Sequence, residues 1–144
     1  MKTSFAKYFR RDQKVGVTPP DLSSQATYAE HIVRARGKKS RYTSVSLDPT
    51  KIDDFGDVLY ELKRPAADNA GHKIVEHAVL MNELQQVAKT GVKEARLRAL
   101  QAVRYARRRA EGLVEWALDH SKVADKDRIK WAATQIAPYF SRKS

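Results

Sequence analysis

Residues 92–120 have the sequence VKEARLRALQAVRYARRRAEGLVEWALDH and carry the clearest helical pattern in the chain. Apolar residues recur there at spacings of three and four, for example at Leu97, Leu100 and Val103. That spacing is typical of one face of an α-helix. The pattern therefore predicts one helix over residues 92–120, about 43 Å long at about 1.5 Å per residue, which either spans the domain or kinks at Gly112.

The C-terminal residues extend this helical interpretation. Ser121 offers an N-cap for a final helix that continues to Ala137 and ends before Pro138. We therefore expect the C-terminal half to be a helical hairpin with one long basic helix.

The N-terminal half combines strand and helix patterns. Residues 42–47 alternate apolar and hydroxyl side chains, and residues 58–63 are apolar nearly throughout, so both stretches predict strands. Residues 26–36 predict a short helix that Gly37 ends, and residues 66–71 predict a loop. Residues 73–86 begin either as a strand that turns helical or as a helix.

These patterns predict an α+β fold, with a small N-terminal sheet and flanking short helices followed by the C-terminal helical hairpin. We expect residues 91–144 to form a basic helical region that packs on residues 1–90. A chain of 144 residues is the size of one compact domain.

The composition excludes several classes of protein. The chain has no cysteine, which rules out a disulfide scaffold, a thiolate zinc site, an iron–sulfur cluster and a cysteine nucleophile. No window approaches eighteen consecutive apolar residues, so we expect no transmembrane segment. The four histidines lack the spacing of a metal site, so no metal is predicted.

The charge distribution points to an anionic partner. The formal net charge is +11, with a balance of +7 in residues 1–41, −3 in residues 42–90 and +7 in residues 91–144. Such a charge attracts RNA, DNA, an anionic membrane face or an acidic protein surface and does not choose among them. The candidate nucleic-acid-binding residues are arginines of the long helix, which can meet consecutive phosphates: Arg96, Arg104, Arg107, Arg108 and Arg109.

A second set of residues suggests chemistry by its order along the chain. A basic pair follows Tyr8 and Phe9, His31 lies in the first predicted helix, and a hydroxyl-rich strand and a downstream acid come later. The residues of this set are Arg10, Arg11, His31, Tyr42, Ser44, Ser46 and Glu76.

Over residues 8–80 this order resembles the mono-ADP-ribosyltransferase toxins, especially the branch related to cholera toxin. The family has an arginine, then a histidine, then an aromatic residue followed by Ser-Thr-Ser on a strand, then a catalytic glutamate. Here Ser44 and Ser46 match the two serines, and Val45 stands where the family usually has threonine. Residues 1–90 are thereby identified as the expected NAD-binding transferase region.

The resemblance implies a role for each matched residue. Arg11, or Arg10, would hold the pyrophosphate of NAD, since a guanidinium can bond two phosphate oxygens at once. His31 and Tyr42 would line the NAD cleft. Ser44 and Ser46 would hold the wall of the cleft and orient the acid. Glu76 would stabilise the positive charge that develops on the ribose when nicotinamide leaves.

The expected function is therefore a toxin-like glycosyltransferase that cleaves NAD and moves ADP-ribose to a macromolecule. By resemblance it would be a bacterial effector with an immunity or antitoxin partner. It would act in the cytoplasm, or in a target cell that it reaches by a route not visible in the sequence.

Two alternatives remain open. The chain is a non-catalytic basic module that binds nucleic acid or the ribosome, or it is an interaction protein that docks its long helix on a partner. In the latter case the apolar contacts would come from Leu100, Val103 and Leu113.

Overall fold

The computed structural model describes residues 6–33 and 40–143, in which one antiparallel sheet carries helices on both faces. The strands are β1 (Phe9–Asp12), β2 (Tyr42–Ser46), β3 (Val58–Leu62), β4 (Lys73–Val75), β5 (Glu111–Glu115) and β6 (Phe140–Arg142). The helices are α1 (Tyr28–Val33), α2 (Arg64–Asn69), α3 (His77–Thr90), α4 (Lys93–Arg109) and α5 (Arg128–Ile136), with short 3₁₀ turns at Pro49–Ile52, Asp125–Asp127 and Ala137–Tyr139. The strand order is β4-β5-β2-β1-β3-β6. The predicted α+β class and the long basic helix are confirmed.

The strand β5 shows that the prediction of a single helix over residues 92–120 is wrong. The predicted helix over residues 92–120 ends at Arg109, where Ala110 takes a left-handed conformation with φ 48°. The chain then enters the sheet between β4 and β2. Leu113 and Val114 are both fully buried, one in each of the two cores. A short apolar strand that is buried on both faces of a sheet shows no alternation of apolar and polar residues. Its sequence therefore looks like a continuation of the preceding helical pattern.

Gly112 fits its strand because it lacks a side chain. A Cβ at this position would lie 2.8 Å from the Tyr8 ring and 2.9 Å from the carbonyl oxygen of Val75. Gly112 therefore allows close packing within the sheet rather than a kink in a helix.

The two C-terminal helices do not form a hairpin, because they lie on opposite faces of the sheet. One core joins α1, α3 and α4 through residues such as Ile32, Leu84 and Ala106. The other joins α2 and α5 to the opposite face, where Ile136 packs with Val114. Since β5 and β6 belong to the same sheet as the N-terminal strands, residues 1–90 and 91–144 share one sheet.

Of the remaining elements, β1 and β6 were not predicted, and the final helix α5 begins at Arg128 instead of after Ser121, whereas the others follow the sequence patterns more closely. The strands expected at residues 42–47 and 58–63 are present as β2 and β3. Helix α1 covers part of the expected residues 26–36, of which residues 34–36 lie outside the described residues. Residues 64–69, expected in part as a loop, form α2, and the ambiguous stretch from residue 73 is a strand followed by a helix.

Two of the three apolar residues named for the interaction-protein alternative lie in the core. Val103 is 8% exposed and Leu113 is fully buried, so both belong to the core. Only Leu100 of the three is open to solvent, at 52%. In the described residues, no helix is both long and apolar enough to span a membrane.

Candidate active site

A cavity of about 220 Å³ opens where β1 and β2 diverge. The register of these two strands pairs Phe9 with Ser46, and β1 otherwise pairs with β3. Arg10 spans the gap, since its guanidinium donates to the carbonyl oxygen of Ser44 at 2.8 Å. The lining residues come from β1, α1, β2, β5, the last residue of α4 and the turn before β3: Phe9, Arg10, Arg11, His31, Ser44, Val45, Ser46, Ile52, Phe55, Arg109 and Glu111.

Glu111 is the acid of this cavity. It is the first residue of β5, directly after the left-handed Ala110, and its register partner is Ser46. Its side chain is 1% exposed, and its Oε2 accepts a hydrogen bond of 2.6 Å from the Ser44 hydroxyl. Oε1 has no hydrogen-bond partner among the described residues and lies 3.7 Å from the guanidinium of Arg109.

Burial raises the pKa of Glu111 above its ordinary value. The Ser44 hydrogen bond and the positive charges of Arg109 and Arg10 act in the opposite direction but do not cancel it. A carboxylate that is buried and only partly hydrogen-bonded interacts strongly with any positive charge that forms beside it, since little solvent screens it.

His31 completes a chain of three polar side chains. Its Nε2 lies 2.6 Å from the Ser44 hydroxyl oxygen. Burial, together with the charges of Arg10 and Arg109, lowers the pKa of His31 to about 4, so its ring is neutral at pH 7. The single hydroxyl proton of Ser44 goes to Glu111, so the hydrogen bond from His31 to Ser44 is donated by Nε2–H.

This order of groups differs from that of a serine hydrolase. In a Ser-His-acid triad the histidine lies between the serine and the acid and takes the serine proton. Here Ser44 lies between His31 and Glu111, and its proton is directed at the carboxylate. The arrangement therefore orients a carboxylate and does not prepare a serine nucleophile.

Three arginines make the cavity attractive to an anion. The Nε of Arg10 is 2.7 Å from Asp12, which fixes the orientation of its guanidinium. The buried Nε of Arg11 has no hydrogen-bond partner among the described residues. The guanidinium of Arg109 lies 5.0 Å from the centre of the Phe55 ring. Three cations against one lining carboxylate favour a ligand that carries phosphate or another negative group.

Ser46 has a structural role in this site. Its hydroxyl donates to the carbonyl oxygen of Arg109 at 2.5 Å and accepts from the Asp48 amide at 3.0 Å. These bonds tie β2 to the end of α4, directly before Ala110 and Glu111. Ser46 thus positions the turn that delivers the acid.

Most of the predicted site residues meet at the cavity. Arg10, Arg11, His31, Ser44 and Ser46 all line it. Tyr42 does not line the cavity. Its ring contacts two rings of α1, with its centre 5.8 Å from that of His31 and 5.1 Å from that of Tyr28.

The prediction for Glu76 requires a correction, because this acid does not line the cavity. Glu76 precedes α3, its side chain is 42% exposed, and its Oε1 accepts a hydrogen bond of 2.9 Å from Arg64. The strand β4 that precedes it is separated from β2 by β5. The acid beside Ser44 therefore comes from β5 and is Glu111.

Sequence reasoning missed Glu111 because this residue was assigned to the interior of a long helix. The signal that could have found it is the change at residues 110–115, AEGLVE, where a glycine and two aliphatic residues follow the last arginine of the helix. A Gly beside a short apolar run bounded by acids also fits a buried strand.

The candidate nucleic-acid-binding arginines divide into two groups. Arg96, Arg104, Arg107 and Arg108 are exposed on α4. Arg109 instead lines the cavity and belongs to the site around Glu111. Within the part of the chain that the structure describes, no three His, Asp or Glu side chains are grouped as metal ligands.

Comparisons with models of known protein families, with curated protein sequences and with solved structures find no significant match. The candidate function therefore depends on the geometry of the cavity and on the resemblance of its residues.

Proposed function

We propose that this protein cleaves NAD and transfers ADP-ribose, with Glu111 in the role that the sequence pattern assigned to Glu76. One observation carries the proposal: the buried Glu111 carboxylate accepts a hydrogen bond from Ser44 in the cavity that Arg10, Arg11 and His31 also line. An arginine, a histidine, a strand serine and an acid are the groups that the resemblance requires. These groups all line one cavity, where the acid is Glu111 of β5 and not Glu76.

The carboxylate matches the demands of the reaction. The bond between ribose C1′ and the nicotinamide nitrogen breaks, and nicotinamide leaves with the bonding electron pair. Positive charge then develops on the ribose, where a buried carboxylate stabilises it. The acceptor nucleophile forms the new bond to C1′ and releases its proton to solvent. With water as the acceptor, the products are ADP-ribose, nicotinamide and a proton.

The neighbouring side chains hold Glu111 ready for this step. Ser44 holds Oε2 by a hydrogen bond, and Oε1 is buried without a hydrogen-bond partner among the described residues, so the carboxylate lies beside the cavity where little solvent screens its charge. His31 is neutral at pH 7 and holds the Ser44 oxygen, so it adds no cation that would repel the developing charge. Preorganised groups of this kind act without reorientation during the reaction.

The arginines supply the binding of the substrate's phosphates. Arg10, Arg11 and Arg109 line the cavity, and Asp12 fixes the orientation of the Arg10 guanidinium. A cavity of about 220 Å³ is smaller than the roughly 300–1,000 Å³ of most ligand sites. We therefore place the nicotinamide and its ribose inside and the pyrophosphate at the arginines near the mouth.

The test compares two isosteric substitutions, Glu111→Gln and Glu76→Gln. The protein is incubated with NAD, and released nicotinamide is measured by chromatography, with water, RNA, DNA and mixed protein offered as acceptors. We expect Glu111→Gln to lower the rate by about 10²–10³-fold, since it removes the charge that stabilises the transition state. Glu76→Gln keeps the wild-type rate because its side chain is outside the cavity.

Thermal melts of both variants show whether each is folded. Equal rates for wild type and a folded Glu111→Gln variant would remove Glu111 from the mechanism. Absence of NAD consumption with every acceptor would overturn the proposed function itself.

A further inference from the structure

One side of α4 carries cations near both of its ends, and we call this side the α4 basic face. Its members are exposed and fall within about 120° of the helix circumference at 3.6 residues per turn: Lys93, Arg96, Arg104, Arg107 and Arg108. Lys93 and Arg107 are about 21 Å apart along the axis at about 1.5 Å per residue. The opposite side of the helix, including Ala99 and Ala106, is buried in the core.

The α4 basic face lacks carboxylate partners, unlike other charged parts of the surface. Arg41, Arg64, Arg98 and Arg128 each lie within 4.0 Å of an Asp or Glu oxygen. Among the described residues, none of the five cations of the α4 basic face takes part in such a pair. Unpaired cations along one helix face repel one another, and this repulsion is relieved when a polyanion binds.

We propose that the α4 basic face binds the phosphate backbone of a nucleic-acid strand and presents that strand to the cavity as the acceptor of ADP-ribose. The cations extend along the whole length of the helix, which suits a linear series of phosphates. Leu97 and Leu100, 59% and 52% exposed, lie between the cations at the two ends. Exposed apolar side chains also include Val92 before α4 and Val87 on α3, so a protein partner is tested below as the alternative occupant.

The C-terminal end of the α4 basic face adjoins the cavity. The guanidinium groups of Arg108 and Arg109 both lie against the Tyr105 ring, at 5.7 Å and 5.2 Å from its centre. Arg109 in turn lines the cavity beside Glu111. The C-terminal end of the face is therefore connected to the wall of the cavity through Tyr105 and Arg109. The binding of nucleic acid is independent of the proposed function, whereas the acceptor role depends on it.

The binding test uses fluorescein-labelled single-stranded RNA and DNA of the same mixed sequence, measured by anisotropy across a salt titration. The variant is Arg104→Gln with Arg107→Gln, and its control is Lys122→Gln with Lys130→Gln, which removes the same charge at exposed positions outside α4. We expect the arginine variant to bind about 25-fold more weakly at about 0.1 M salt and to lower the salt slope by about 1.4. The control retains wild-type binding, and RNA and DNA bind alike.

A second variant, Leu97→Ala with Leu100→Ala, tests a protein partner as the alternative occupant. Nucleic-acid binding should change less than about 3-fold, because phosphate contacts supply most of the affinity. Equal binding by the arginine variant and the control would overturn the proposal. A larger loss from the leucine variant than from the arginine variant would also overturn it and would favour an apolar protein contact.

The acceptor role is tested separately with NAD labelled in the adenylate. We expect label on the RNA or DNA strand with wild type, and loss of that label with the arginine variant while release of free ADP-ribose continues. A strand that binds but takes no label, while NAD is hydrolysed, overturns the acceptor role alone. Binding as expected without any NAD cleavage overturns the proposed function and leaves the docking surface in place.

Discussion

Glu111 and Glu76 are two glutamates at similar junctions with opposite surroundings. Glu76 lies between β4 and α3, Glu111 begins β5 just after α4, and each is near an arginine. Glu76 is partly exposed and hydrogen-bonded by Arg64, which lowers its pKa. Glu111 is buried, Arg109 is 3.7 Å away, and desolvation raises its pKa. Burial, and not the presence of an arginine, therefore determines which carboxylate is suited to chemistry.

The largest effect expected beyond the Glu111 substitution is that of Ser44→Ala. This change removes the hydrogen bond to Oε2 and the contact with His31, so the carboxylate is no longer oriented. We expect NAD cleavage to fall by about 10²-fold, measured as nicotinamide release. Ser141→Ala, on a strand outside the cavity, is the matched control and should keep full activity. Equal rates for the two variants would show that Ser44 does not act on Glu111.

An intermediate effect is expected from Arg109→Gln. The nearby guanidinium favours the ionised form of Glu111, so its removal raises the pKa of the acid further. At fixed pH a smaller fraction of Glu111 is then ionised. We expect the acid limb of the pH profile of NAD cleavage to move to higher pH by about one unit, with full activity recovered as the pH rises.

The control for this shift is Arg64→Gln, which removes the arginine beside Glu76. Its pH profile should coincide with that of the wild type, and Arg109→Lys should restore most of the original profile. A profile of Arg109→Gln that superimposes on the wild type would mean that Arg109 does not influence the ionisation of Glu111.

The smallest effects are on the free energy of unfolding. Substitution of the two glutamates should change this free energy in opposite directions. The raised pKa of Glu111 means that the folded state binds its proton more tightly than the unfolded chain, so stability falls as the pH rises through that pKa. Glu111→Gln should therefore be more stable than wild type at pH 7, by about 1–3 kcal/mol, with the difference shrinking in acid.

Glu76 has a lowered pKa, so its contribution to stability is present above the ordinary pKa and is lost as the pH falls through the lowered one. Glu76→Gln should cost less than about 1 kcal/mol at pH 7, because the pair with Arg64 is partly exposed. Chemical denaturation at pH 7 and at acidic pH measures both differences. If Glu111→Gln were less stable than the wild type at pH 7, the claim that the buried Glu111 carboxylate destabilises the folded state would be wrong.

Local patterns were sufficient for several elements and for most of the candidate site. The alternation of Thr43, Ser44 and Val45 predicted β2, and the order of Arg10, His31 and Ser44 indicated groups that do meet at the cavity. The β2 residues belong to a short segment whose own sequence indicates a strand, whereas the grouping of Arg10, His31 and Ser44 came from the resemblance to the transferase family. The toxin role, the immunity partner and NAD itself stay predictions.

Long-range pairing decided what the local pattern missed. Residues 111–115 continue an apolar helical spacing, yet they form a strand because β2 and β4 bond them from both sides. In that position Leu113 and Val114 bury their side chains in two different cores. No helix could place consecutive residues on opposite faces of a sheet.

The sequence by itself determined the α+β class, the long basic helix, the cationic character of the protein and the arginine, histidine and serine of the candidate site. Only the tertiary structure decided which acid joins them. A side chain's ordinary chemistry is set by its residue type, but its burial and its neighbours depend on strand order. Strand order placed β5, and with it Glu111, beside Ser44, and it left Glu76 near the surface.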